Sequence, residues 1–302
     1  MTLSRMTQNM MSRQSFAGMQ TAMDRVAKSQ EQLTTGRLIN RPSDDPTGAT
    51  TAMRLRSSLS SQQQYVRNAD DAVGWLDQTD TTLGTMGSQI TRAHDIALEG
   101  ANTGAMGPDA LAALATEVEQ IRAGMISSAN ARYLDRPLFG GITTGTAAYD
   151  ANGDVLDSAA LGTGTGVVRT IADGQRIRID VEGPEVFEGA DGVSVFTHLA
   201  DLSAALKSGS TTAISSAIGK LKDDGDRVVN MRSEIGARTV RVENARSVAD
   251  DASLTLTNAL SSVENVDLAK ATVDLSLREV AYKAALGATA RVLQPSLLDF
   301  LR

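Results

Sequence analysis

Between residues 210 and 263 every seventh position counted from Ile214 is apolar: Ile214, Leu221, Val228, Ile235, Val242, Ala249, Leu256 and Val263. A second row, three residues on, is weaker: Ala217, Asp224, Met231, Arg238, Ala245, Ala252 and Ala259. A seven-residue apolar repeat holds one seam of a helix against a partner, as in a left-handed coiled coil. No proline interrupts the stretch. At 1.5 Å per residue it predicts a rod on the order of 80 Å long. A rod of that length cannot bury its seam against itself, so other helices must run alongside it.

The rest of the chain supplies them. Residues 1–34 read as helix, with Met19, Val26 and Leu33 seven apart and Ala22 and Met23 beside them. Six of the 11 methionines fall within the first 23 residues, and methionine suits adaptable packing surfaces. This segment is open to two readings, an ordinary amphipathic helix or one whose partner arrives from elsewhere. Residues 47–102 repeat the pattern with Leu59, Val66 and Val73, then Leu76, Leu83, Ile90 and Ala97, joined by Met86 and Ala93. Trp75 beside Leu76 reads as packing. A shorter helix after Pro108 carries Leu111, Val118 and Met125, with Leu114 and Ile121. The last helix runs from about Leu268, with Leu275, Tyr282, Leu286 and Leu293 inward, until Pro295 breaks it. Leu297, Leu298, Phe300 and Leu301 then form an apolar cluster that a lone molecule rarely leaves exposed.

Two stretches break the helical pattern. In residues 35–47, Gly36 permits a left-handed turn, and Pro42 and Pro46 drive their predecessors out of helix. Asp45 reads as an N-cap with Pro46 in the first helical position. Adjacent Asp44 and Asp45 invite an acid–base reading, but neighbours in a turn point apart and no His or Lys lies near them in sequence; capping accounts for them. Residues 137–195 are rich in Gly, Thr and Asp. Ile177, Ile179 and Val181 alternate, which predicts a strand with one buried side; Val167–Ile171 and 192–196 are further strand candidates. A short helix over 195–206 ends near Gly209. Asp150, Asn152 and Asp154 alternate like part of a calcium loop, but Val155 and Leu161 stand where its glycine and glutamate belong, so a hairpin turn around Asn152–Gly153 is expected.

The expected architecture is mainly α with an inserted small β-domain: an elongated long-helix bundle or coiled coil formed by the N- and C-terminal segments. Terminal helices span 1–40 and 268–302, the bundle 41–136 and 197–267, and the β-domain 137–196.

Several functions are excluded. There is no cysteine, hence no disulfide or thiolate metal site. A net charge of −7 argues against a nucleic-acid or anionic-membrane surface. No run of apolar residues is long enough for a transmembrane helix, and the N-terminus lacks the hydrophobic stretch of a cleaved signal peptide. His94 and His198 are isolated in sequence, no nucleophile elbow or phosphate loop occurs, and the glycines of 162–166 are followed by neither lysine nor helix. No enzyme, metal or cofactor is expected.

The segment Ser29–Ala49, containing Asn40, Arg41, Pro42, Ser43, Asp44, Asp45 and Pro46, resembles the N-terminal signature of the flagellin superfamily. Glu279–Arg302, ending Pro295, Ser296, Leu297, Leu298, Asp299, Phe300, Leu301, Arg302, resembles its C-terminal counterpart. Both proline-containing ends look more like the branch that joins hook to filament than the filament branch. The resemblance implies terminal helices that pair with each other, are ordered on assembly and line the inner tube of an axial structure. It implies export without a cleaved signal peptide to an extracellular flagellum, with an export chaperone, hook-associated protein 1, flagellin and further copies of the chain as partners. The assembly interface expected is Met6, Met10, Met19, Val26 and Leu33 against Leu286, Leu293, Leu297, Leu298, Phe300 and Leu301. The alternatives are a filament-forming flagellin and, more distantly, a secreted helical effector or coiled-coil scaffold.

Overall fold

The structure, a computed structural model, describes residues 8–102, 107–161 and 166–293. Seven α-helices and four short strands follow one another: α1 (Gln8–Thr35), α2 (Pro46–Ala101), α3 (Pro108–Ala129), β1 (Arg132–Tyr133), β2 (Arg136–Pro137), β3 (Val168–Ala172), β4 (Gln175–Arg178), α4 (Gly183–Phe187), α5 (Val195–Ser208), α6 (Thr211–Glu264) and α7 (Leu268–Leu293). The fold is mainly helical, as the repeats predict. The chain divides into two compact units, one of residues 1–61 and 252–302, the other of residues 62–251.

In the larger unit the predicted row on α2 is buried from Leu76 onward, whereas Val66 and Val73 are half-buried because the seam there runs one step round the helix, through Ala69 and Ala72. On α2 the alternating three- and four-residue steps Ala69, Ala72, Leu76, Thr79, Leu83, Met86, Ile90, Ala93 and Ala97 all lie in the interior. On α6 the row Ile214, Leu221, Val228, Ile235, Val242 and Ala249 is likewise buried. The two helices run antiparallel, because Arg232 bonds Asp80 at 2.8 Å while Arg246 bonds Asp70 at 2.8 Å. Leu111, Val118 and Met125 of α3 and Leu199, Leu202 and Leu206 of α5 join the same core. Trp75 is buried edge-on to Tyr133, with ring centroids 5.7 Å apart.

Residues 137–196 belong to this unit and share its core. Their strands are short antiparallel pairs, β1 with β2 and β3 with β4. Phe139, Tyr149, Phe187 and Phe196 form a ring cluster with centroids 5.0–5.7 Å apart. The Asn152–Gly153 turn forms as expected. Gly153 has φ +86°, the flanking Tyr149 and Val155 pair, and Asp150 Oδ1 accepts from the amides of Asn152 and Asp154, both at 2.8 Å.

Two strand expectations need correction. Residues 192–196 are not a strand: Ser194 caps α5, its hydroxyl accepting from the Thr197 amide at 3.2 Å, and Val195 and Phe196 are already helical. Capping chemistry and a four-residue apolar periodicity outweigh local β propensity here. The alternation at 175–183 holds for Ile177, Ile179 and Val181, all buried, but β4 ends at Arg178 and the intervening Asp180 and Glu182 are buried too. Arg178 makes both carboxylates tolerable, at 3.0 Å from Asp180 and 3.2 Å from Glu182, and Glu185 closes the cluster at 3.0 Å. A buried charge is kept only when paired in this way.

Candidate assembly surface

The smaller unit contains those residues of the expected interface that the structure describes. Its turn is built by capping. Asp44 Oδ2 accepts from the amides of Asn40 at 3.2 Å and Arg41 at 3.0 Å, and Asp45 Oδ1 accepts from Thr47 at 3.1 Å and Gly48 at 3.0 Å. Asp45 is therefore the N-cap of α2, with Pro46 first in the helix. The fold does bring a lysine to this turn, contrary to the expectation from sequence distance: Lys28 Nζ lies 2.8 Å from Asp44. That hydrogen bond, together with the amides of Arg41 and Asn40, holds the Asp44 carboxyl below the usual carboxylate range. The ammonium neutralises a capping group, with no reacting geometry around it.

After α1, Gly36 takes φ +68° and its carbonyl accepts from the Val266 amide at 3.0 Å, while Leu38 donates to the Glu264 carbonyl at 2.6 Å. The end of α1 is thereby pinned to the start of α7, and the two helices pack antiparallel. Arg278 Nη1 reaches the Arg25 carbonyl at 3.2 Å across the pair. Asp267 caps α7, accepting from Ala269 at 3.0 Å and Lys270 at 3.1 Å. Beneath, the carboxylate of Glu264 is buried against Arg56 at 2.7 Å.

The inward face of α1 is Ser15, Met19, Ala22, Val26, Ser29 and Leu33; that of α7 is Ala271, Leu275, Arg278, Tyr282, Ala285 and Thr289. Only Ser29 and Ala271 are buried, and Met19, Val26, Leu33, Leu275 and Tyr282 are half-buried. Met10 is exposed. Leu286 also departs from its expected place, being 41% exposed. The seam steps from Tyr282 to Ala285 to Thr289, which leaves Leu286 one residue, or about 100° of helix, away from it. Met6, Leu297, Leu298, Phe300 and Leu301 lie outside the described residues, as does the side chain of Leu293.

A second apolar face escaped the sequence reading. On α7, Val273, Leu277 and Val280 are 63–68% exposed; on α1, Phe16 and Met23 are 54% and 60% exposed. Their spacings of four, three and seven residues place each set on one side of its helix. The signal was present in the sequence, but a first seam already accounted for the helices. A helix apolar on two faces requires two neighbours, and the packing of α1 against α7 covers one face of each. Among the described residues no helix is long and apolar enough to cross a membrane.

Comparison with known proteins is consistent with this geometry. Residues 6–144 match the bacterial flagellin N-terminal helical region and residues 218–301 the bacterial flagellin C-terminal helical region. The chain is 23% identical to flagellar hook-associated protein 3 of Escherichia coli strain K12 over 286 residues, covering 87% of this chain and 89% of that protein. It is 25% identical to flagellin FlaB2 of Treponema pallidum over 297 residues, covering 92% of each. The crystal structure of Bacillus cereus FlgL superimposes with a TM-score of 0.58 at 22% identity, covering 69% of this chain and 99% of that one.

Proposed function

The chain belongs to the bacterial flagellin family, and we propose from that premise that it is a structural adaptor of the flagellum, joining the hook to the filament. The observation that carries this reading is the bare apolar stripe of Val273, Leu277 and Val280 on a helix already paired along its other face. Copies of the chain stacked around an axis cover such stripes through heterologous contacts, which close into rings or propagate as tubes. The half-buried seam of α1 and α7 gains in the same way, because each side chain excluded from water in the assembly contributes roughly 25 cal/mol per Å² of apolar surface.

The partners follow from the family. Hook-associated protein 1 lies on one side of the ring and flagellin on the other, and an export chaperone holds the chain before its release to the extracellular flagellum. In this arrangement residues 1–40 and 268–302 line the inner tube, 41–136 and 197–267 surround it, and 137–196 face outward. The similarity to flagellin FlaB2 over 92% of both chains favours a second reading, a filament subunit.

The test is complementation of cells lacking the chain. Without it, hooks bear no filaments and flagellin is lost to the medium; the wild-type gene restores filaments. The Leu277→Lys/Val280→Lys variant, altered only at exposed positions, keeps wild-type helicity as purified protein and fails to restore them. Filaments on cells carrying the double variant overturn the stripe as the assembly surface. Long filaments polymerised from the pure chain favour the filament reading.

A further inference from the structure

Asp224 stands in the weaker heptad row of α6, where an apolar side chain is expected, and it is buried. His198 of α5, also buried, approaches it with Nδ1 2.7 Å from Asp224 Oδ2. An ionised carboxylate only accepts, so Nδ1 carries the hydrogen. The other carboxylate oxygen of Asp224 is held by Arg227, whose Nε also donates to the Val186 carbonyl of α4 at 2.8 Å. Asp224 is therefore already neutralised by a guanidinium.

His198 Nε2 is buried and has no hydrogen-bond partner. The Asp191 carboxylate lies close by, with Oδ2 3.7 Å away, beyond hydrogen-bond length. Asp191 sits in the turn between α4 and α5, and its Oδ1 is occupied in accepting the Val193 amide at 3.1 Å. That amide, and secondarily the charge on His198, holds the Asp191 carboxyl below the usual carboxylate range. In the neutral ring, a lone pair on Nε2 faces this carboxylate and no bond forms. On a protonated ring, Nε2 becomes a donor 3.7 Å from Asp191 Oδ2, and a sub-ångström shift of the turn brings the two within hydrogen-bond length.

We propose that His198 is a proton-operated latch: a proton taken from solvent at Nε2 bonds Asp191, clamping the 188–194 turn onto α5 and α6. The surrounding charges bear on the balance. From α6, Lys220 opposes the proton and Asp224 favours it, with Arg227 cancelling part of Asp224. From α5, Asp201 lines the same cleft as His198 and Lys220 and favours it, while the first-turn position of His198 in α5 opposes it through the helix dipole. Glu188 of the turn acts on Tyr149 instead, and Arg122 of α3 bonds the Phe196 carbonyl. With Asp224 compensated, Asp191 is the carboxylate left to balance an imidazolium.

The experiment is hydrogen exchange on the full chain at about pH 7.5 and about pH 5.5, with the His198 ring followed by NMR across that range. The reporters are the Gly189 amide, bonded to Val193 at 2.9 Å, and the Gly192 amide, bonded to Gly189 at 3.0 Å. Corrected for intrinsic rates, their protection rises about two- to fivefold at the lower pH, the range expected for an ion pair with one partner half-exposed. The rise follows the protonation midpoint of the His198 ring. In Asp191→Asn, which keeps an oxygen for Val193 and leaves α5 and α6 untouched, protection no longer depends on pH. An equal rise in Asp191→Asn, no rise in the wild type, or a ring that stays neutral throughout overturns the latch.

Discussion

Asp44 shows how one carboxylate organises a turn with no chemistry attached. It gathers two amides and an ammonium, and its pKa is depressed in consequence, so the folded turn binds a proton less readily than the unfolded chain. Its contribution is therefore fully present above the ordinary aspartate value of about 4 and is lost as pH falls through the lower folded value. The Asn40 and Arg41 amides are expected to hold their exchange protection down to about pH 4 and to lose it only as pH falls further. In Asp44→Asn the same amides have low protection already at neutral pH and little further dependence. The capping role of this turn was legible from the order of its residues; the lysine was not, because Lys28 is brought to it by the packing of a helix that precedes the turn. Asp224 and His198 were hidden for a related reason. Each looks isolated in the chain, and only the crossing of α5 over α6 makes them partners.

At the scale of the element, α6 is one helix whose heptad row changes character along its length. Ile214 to Ala249 are buried, whereas Leu256 and Val263 are half-buried. The repeat announced a helix and its inward side, but spacing carries no information on how many neighbours surround each turn. A truncation series reads this out. Ile235→Ala removes a side chain from a closed interior and is expected to cost about 2–4 kcal/mol. Leu256→Ala, with less surface to lose, is expected to cost below about 1.5 kcal/mol. Denaturant unfolding of the two variants checks the order, and equal losses would mean that the second site is as enclosed as the first. The same limit explains the missed stripe on α7: Leu275 and Tyr282 gave the helix an adequate inner side, so the equally regular Val273, Leu277 and Val280 went unweighed.

For the whole molecule, the two compact units differ in how much interior they hold. The larger has a continuous core from Ala69 to Val242, while among the described residues of the smaller one the buried positions are small or polar: Ser29, Ala49, Ala52, Glu264 and Ala271. Local opening free energy follows buried apolar contact. Amides of α1 and α7 in the isolated protein are therefore expected to exchange far faster than those of α2 between Ala72 and Ala97 and of α6 between Ile214 and Val242. Uniform protection across all four helices would show that the terminal pair is self-sufficient and needs no further copies. A mainly helical class and the approximate bounds of every long helix could be read from periodicity. The division into units could not, since α2 and α6 each contribute to both and no break in their patterns marks the boundary.

The antiparallel joining of α1 to α7 also sets a clock. α1 finds its mate only when α7 has been synthesised, more than 230 residues later by the helix bounds. At ribosomal speeds of about 5–20 residues per second the interval is roughly ten to fifty seconds. Throughout it Met19, Val26 and Leu33 stay wet. Whatever the cell does with the nascent α1, shielding it or threading it elsewhere, has that window in which to act, and the distance in sequence between the two helices sets its length.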